Sequence, residues 1–214
     1  MNNKLQKYKH MRNICFIFVI LTTCLSGCYI GKPLKVKSTM YVFFASETGV
    51  LTCINGKYAK KTKWNEYKNA FIDGLKKESS YYNLVITEDE KQSADFTLVI
   101  SSFNVSESLS SETVNDVASP YNGKTFQLSS CNADATFKLY KGNQEKLLGQ
   151  WSANAYKDEK ISNNRNFGDF VFGTNKDNSE YRYKELDDNI CTTLSEKCGN
   201  HVIAKLTRKI SKNK

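Results

Sequence analysis

Apolar residues along this chain follow two rhythms, and the changes between them set out the elements. The run Met40-Tyr41-Val42-Phe43-Phe44-Ala45 is unbroken, the mark of a strand buried on both faces. Val50 to Ile54 and Lys57 to Lys61 flank Asn55-Gly56, a dipeptide that supplies the positive-φ positions of a tight hairpin turn. From Lys63 to Glu78 the rhythm changes: Trp64, Tyr67, Phe71 and Leu75 fall at helical spacing with lysines between them. Thr62 is placed to cap that helix, and Lys76 and Lys77 stand in its last turn, where the helix dipole favours cations.

Strand rhythm returns at Asn83–Thr87 and Ala94–Val105, where Phe96, Leu98 and Ile100 share a face. Lys124–Tyr140 and Glu145–Tyr156 make a long hairpin around Gly142-Asn143. Within it Cys131, Ala133, Ala135, Phe137 and Leu139 alternate, as do Leu147, Gly149, Trp151, Ala153 and Ala155. Phe103 and Val105 are out of step with Phe96, and Phe126 and Leu128 with Cys131. A bulge or a sharp twist is therefore expected near Ser101-Ser102 and near Ser129-Ser130.

From Lys184 to Ile210 apolar residues recur at every fourth position: Ile190, Leu194, Cys198, Val202, Leu206, Ile210. That predicts one long helix with a kink at Gly199-Asn200. Two stretches read as long loops, Ser106–Gly123 and Lys157–Tyr183. The second carries Phe167, Phe170, Val171, Phe172, Tyr181 and Tyr183 among glycines and asparagines. Two readings stand for these aromatics: anchors in a partner-binding loop, or cover for a sheet face left open by the helices. The sum is an α+β domain, with a mixed, mainly antiparallel sheet of about five strands and two helices packed on one face.

Residues 1–27 belong to neither rhythm. Met1 to Asn13 is polar and basic, and Ile14 to Leu21 is an apolar core too short to span a bilayer, which takes about 20 residues. This is the order of a secretory signal peptide. The next four residues, Leu25-Ser26-Gly27-Cys28, resemble the lipobox of bacterial lipoproteins. Small side chains at Ser26 and Gly27 give a peptidase room, and the Cys28 thiol is the alkylation point.

The resemblance implies cleavage before Cys28, a diacylglycerol on its sulfur and an N-terminal acyl chain, with the lipid bilayer as partner. Three chains, at about 0.8 kcal/mol per buried methylene, anchor permanently. In enterobacterial lipoproteins an aspartate after the cysteine retains the protein in the inner membrane. Tyr29 stands there instead, which implies the outer membrane with the domain facing the periplasm. The expected organisation is a signal peptide at 1–27, a lipidated tether at 28–38 and one α+β periplasmic domain at 39–214.

Export changes how the seven cysteines read. Cys15 and Cys24 leave with the signal and Cys28 carries lipid, so Cys53, Cys131, Cys191 and Cys198 remain as an even set favouring disulfides. Cys191 and Cys198 are seven apart in the predicted helix, roughly 10 Å between Cα atoms, beyond the reach of a disulfide at about 7 Å. Each helical cysteine is therefore expected to reach Cys53 or Cys131, in either combination. Export also thins the net charge of +9, because Lys4, Lys7, Lys9 and Arg12 are lost with the signal and leave +5. No basic stripe interleaved with aromatics remains to bind nucleic acid.

The constellations of catalysis are missing, and no enzyme is expected. His201 is the only histidine of the mature chain and lies next to an apolar helix face; no Gly-x-Ser-x-Gly accompanies it. Asp187-Asp188 and Glu88-Asp89-Glu90 read as a helix first turn and a polar turn rather than paired catalytic acids. The stretch from Asn166 to Gly173 follows no predicted strand and lacks a phosphate-loop lysine. With no Cys-x-x-Cys, neither metal nor cofactor is expected, and an oligomer stays open.

The element order behind a lipobox is similar to a group of α+β envelope-assembly lipoproteins. That group holds the activator of a bifunctional penicillin-binding protein, the curli secretion-channel lipoprotein and an exopolysaccharide-export lipoprotein. The likeness rests on Ala94-Asp95-Phe96-Thr97-Leu98-Val99-Ile100, Ala135-Thr136-Phe137-Lys138-Leu139-Tyr140 and Gly149-Gln150-Trp151-Ser152-Ala153. It implies a non-catalytic binding or assembly module with an envelope protein partner. Unlike the curli channel, this chain has no spare alternating apolar segments for membrane-spanning hairpins, so a pore subunit is not expected. The alternative is a surface-exposed lipoprotein for immunity, exclusion or host contact; a hydrolase comes third.

Overall fold

The computed structural model describes residues 34, 36–45, 49–51, 56–90, 92–115, 121–163 and 181–212, with backbone alone for 162, 163 and 181–183. The signal, the lipobox (Leu25, Ser26, Gly27, Cys28), Cys53, and the loop aromatics Phe167, Phe170 and Phe172 lie outside these residues.

Unbroken apolar runs become the middle of a sheet. The strands are β1 (Ser38–Phe44), β2 (Val50–Leu51), β3 (Leu84–Thr87), β4 (Phe96–Thr113), β5 (Thr125–Lys141), β6 (Lys146–Asp158), β7 (Lys160–Asn163) and β8 (Tyr181–Lys184). The helices are α1 (Trp64–Ser80) and α2 (Ile190–Ile210). Among the described residues, six strands form a mixed sheet in the order β3-β1-β4-β5-β6, with β2 alongside β4. Strand β1 runs parallel to both β3 and β4, whereas β4, β5 and β6 form a long antiparallel meander. Strands β7 and β8 pair as a separate antiparallel hairpin. The fold is α+β, as the two rhythms predict.

One face of the sheet carries the core. Met40, Leu98, Ile100, Phe103, Phe137 and Leu139 pack beneath Tyr67, Phe71 and Leu75 of α1 and the fourfold series of α2 from Ile190 to Ile210. Phe71 lies 4.5 Å from Phe103, and Trp64 stacks on the same ring at 5.4 Å. Beneath α2 the sheet narrows to small side chains, with Ala133 opposite Ala155 and Ala135 opposite Ala153. The helices meet through glycine: a Cβ on Gly74 would strike the backbone carbonyl of Glu196, and one on Gly199 that of Phe71. Lys77 joins Glu196 across this contact at 2.7 Å. Along the outer edge of β6, Lys205 and His201 of α2 bond the carbonyls of Ser152 and Asn154 at 2.6 and 2.7 Å.

Several expectations need correction. Gly199-Asn200 does not break the helix: α2 runs through it as one α-helix, and Gly199 serves the close approach of the helices. That helix starts at Ile190 rather than Lys184, with Asp187 ahead of it: its carboxylate accepts from Asn189 N–H at 2.8 Å. Thr62 caps nothing, since the chain enters α1 through a 3-10 turn at Lys61–Lys63 and Lys63 takes the cap position. The bulge near Ser101 is present, with a register shift between Ile100 and Ser102. At Ser129-Ser130 the ladder is regular. The second shift instead falls between Leu139 and Tyr140, opposite Gly149, whose φ of +157° and overlying Trp151 ring leave no room for a side chain.

The stretch Ser106–Gly123 is mostly not a loop: β4 continues to Thr113 and pairs with β5 as a polar two-stranded ribbon. Main-chain bonds are the principal hold on such a ribbon, helped here by Thr113 and Thr125 hydroxyls 2.9 Å apart. Residues 57–60 form no strand, and β2 lies parallel to β4 instead of in a hairpin across Asn55-Gly56. Leu34, in the expected tether, is buried and is held by Tyr82 and Asn83 at 3.1 and 2.9 Å.

Candidate functional site

Residues 57–60 leave the ladder because a side chain takes the place of a partner strand. Glu107 of β4 continues the inward alternation of Phe103 and Val105 and is 4% exposed. A carboxylate in such a place is costly unless donors surround it. Three successive backbone N–H groups supply them: Lys57 at 3.0 Å, Tyr58 at 2.9 Å and Ala59 at 2.9 Å. Burial pushes the Glu107 carboxyl up, but the bonds from these amides and from Ser129 outweigh it and hold it below the ordinary value.

A second buried carboxylate closes the arrangement. Glu159, between β6 and β7, is 3% exposed. It accepts the Tyr58 hydroxyl at 2.5 Å, the Ser129 N–H at 2.8 Å and the Lys57 ammonium at 2.8 Å. Its own N–H donates to the Ser129 carbonyl at 2.9 Å. Burial first, then the bond to Glu159, raises the Tyr58 hydroxyl to about 12. That oxygen also accepts the Leu186 N–H at 3.1 Å, which ties in the link between β8 and α2. The bond to Glu159 likewise raises Lys57, whose ammonium reaches Glu185 at 3.6 Å.

Five segments thus meet in one polar latch: 57–59, Glu107, Ser129, Glu159 and Leu186. Beside it opens a groove of about 860 Å³, whose described lining includes Tyr156, Lys157, Lys160, Lys184, Glu185 and Asp187. Lysines and acids alternate around it, so it favours neither anion nor cation.

Beneath the latch lie two of the predicted cysteines. Cys131, Cys191 and Cys198 are all buried free thiols, so none of the expected disulfides is formed among the described residues; Cys131 and Cys191 lie beside each other. Cys198 is apart from them, its thiol donating to the Ala153 carbonyl at 3.5 Å, and burial pushes it up to about 12. Tyr181 and Tyr183 stand in β8, paired with Asn163 and Ile161. Among the described residues no group of three or more His, Cys, Asp or Glu is placed to hold a metal. Also among them, no helix is long and apolar enough to cross a membrane.

Sequence reasoning missed Glu107, Glu159 and Tyr58. The available signal was phase, since Glu107 follows Phe103 and Val105 at even spacing and so points inward.

Fold and site define a mixed α+β sandwich, helices on one face, whose loops are fastened by two buried carboxylates. No family model and no curated protein matches the chain. Among solved structures it is similar to a homolog of a neuraminyllactose-binding hemagglutinin from Helicobacter pylori, at 9% identity over 86% of this chain and 90% of that one, with a TM-score of 0.42. A minor lipoprotein from Acinetobacter baumannii shares 12% identity over 82% and 94%, TM-score 0.36. Rare lipoprotein B from Shewanella oneidensis shares 8% over 82% and 98%, also at 0.36. Two of these three are bacterial lipoproteins.

Proposed function

We propose that the protein is a lipid-anchored, non-catalytic binding module of the cell envelope, held at the outer membrane through Cys28 with its domain facing the periplasm. The observation that carries this reading is the saturation of Glu107 and Glu159. Every carboxylate oxygen of the pair accepts at least one donor from the protein itself. A general acid or base needs an oxygen free to meet substrate; these two fasten loops instead.

The fastening has a direction. Glu159 immediately precedes β7 and Leu186 closely follows β8, so the latch grips both feet of the hairpin joined by residues 164–180. That segment holds Phe167, Phe170 and Phe172. A rigid base lowers the ordering cost of presenting aromatic anchors to a protein partner.

A photoreactive residue in place of Phe170 should yield one discrete envelope-protein adduct on irradiation of intact cells. Deleting 165–179 should remove the partner and shift the melting temperature by no more than a few degrees. The absence of an adduct, together with a deletion that unfolds the domain, would make the aromatics cover for the sheet instead.

A further inference from the structure

Cys131 and Cys191 come from elements far apart in the chain and meet under the latch. Cys131 stands in β5 opposite Glu107, inward in phase with Ala133 and Ala135. Cys191 is the second residue of α2. They are 0% and 1% exposed within the same core cluster, and the two free thiols neighbour each other. Neighbouring thiols need only side-chain rotation to reach bonding distance.

We propose that Cys131 and Cys191 are a disulfide pair, which joins the first turn of α2 to β5. The proposal rests on the export reading only for its oxidant, which is a disulfide of the thiol–disulfide exchange class, a protein disulfide or glutathione disulfide. The thiolate of Cys191 attacks one oxidant sulfur, breaks the oxidant S–S bond and releases one thiol. Cys131 then loses its proton, attacks the Cys191 sulfur of the mixed disulfide and releases the second thiol. Two protein thiols lose two protons and two electrons, and the oxidant disulfide becomes two thiols. Cys191 stands in the first turn of α2, where the helix N-terminus favours its thiolate, which assigns the order of attack. Because both sulfurs end fully buried, the exchange runs before the core closes over them.

Cys198 faces the Ala153 carbonyl as a free thiol, so Cys191 takes the place at Cys131 that either helical cysteine was expected to fill, while Cys53 lies outside the described residues.

The test maps thiols in the full-length protein extracted in detergent, alkylated under denaturing, non-reducing conditions and then digested. A Cys131–Cys191 linked peptide with Cys198 alkylated is the expected result. In a second arm the reduced chain is refolded with glutathione disulfide, where the same linkage should form without any dependence on compartment. Reduction of the refolded protein should lower its melting temperature by about 10 °C. Linkage of either cysteine to Cys53 or Cys198, or free thiols in both arms, overturns the pairing. Linkage in the tube but free thiols in the cell supports the pairing and overturns export.

Discussion

Glu107 keeps its charge in the core because three consecutive amides converge on it, and that dependence is measurable. Glu107→Ala leaves the buried amides of Tyr58 and Ala59 and the half-buried one of Lys57 without this acceptor, a loss of about 3 kcal/mol. Glu107→Gln keeps one acceptor oxygen and should lose less, about 1–2 kcal/mol, read from urea midpoints. The latch also writes two limbs into the pH profile. The Glu107 carboxyl is lower in the fold than in the unfolded chain, so its contribution is present above the ordinary carboxylate value of 4.5 and vanishes as pH falls through the depressed one. Tyr58 is raised, so its contribution is complete below 10 and is lost as pH climbs through about 12. Tyr58→Phe should flatten the alkaline limb and leave the acid limb in place, as followed by thermal melts between pH 3 and 12. At this scale the sequence was half legible. The inward phase of Glu107 was visible, but its partners lie some fifty residues away, and no local pattern connects them.

Elements were the most legible level where periodicity was long. All six residues of the fourfold series from Ile190 to Ile210 are buried, and α1 holds Tyr67, Phe71 and Leu75 inward. Periodicity reports only which face is apolar, and this explains the errors. It read Gly199 as an interruption, because the carbonyl of Phe71 that demands a glycine belongs to another helix. It read Ser106–Thr113 as a loop, because a ribbon held by main-chain bonds needs no apolar face. Gly74→Ala and Gly199→Ala should each cost about 2–3 kcal/mol by forcing the helices apart. Because the two sites share one contact, the double variant should cost less than the sum, which a double-mutant cycle in denaturant measures.

For the molecule as a whole, the class of fold was legible and the strand order was not. Alternation announces strands, but nothing in it places β1 between β3 and β4 or runs them parallel. Those pairings follow from α1 crossing over the sheet between β2 and β3, a choice made by packing. The proposed anchor belongs to this scale as well. Cys28→Ser should abolish the lipid mass on the N-terminus and move the protein from the detergent to the aqueous phase in partitioning. Retention in the detergent phase would place the anchor elsewhere.

Midway along β6 two acceptors that an added strand would use, the carbonyls of Ser152 and Asn154, are already occupied by Lys205 and His201. Under the proposed lipid tether, copies would share one plane, one height and one orientation, the arrangement in which open strand edges join and polymerise. Two side chains from α2 make the outermost strand a boundary instead of a template. Lys205→Ala with His201→Ala would therefore show its effect in crowding, as self-association on the membrane, more than in the melting of a dilute sample.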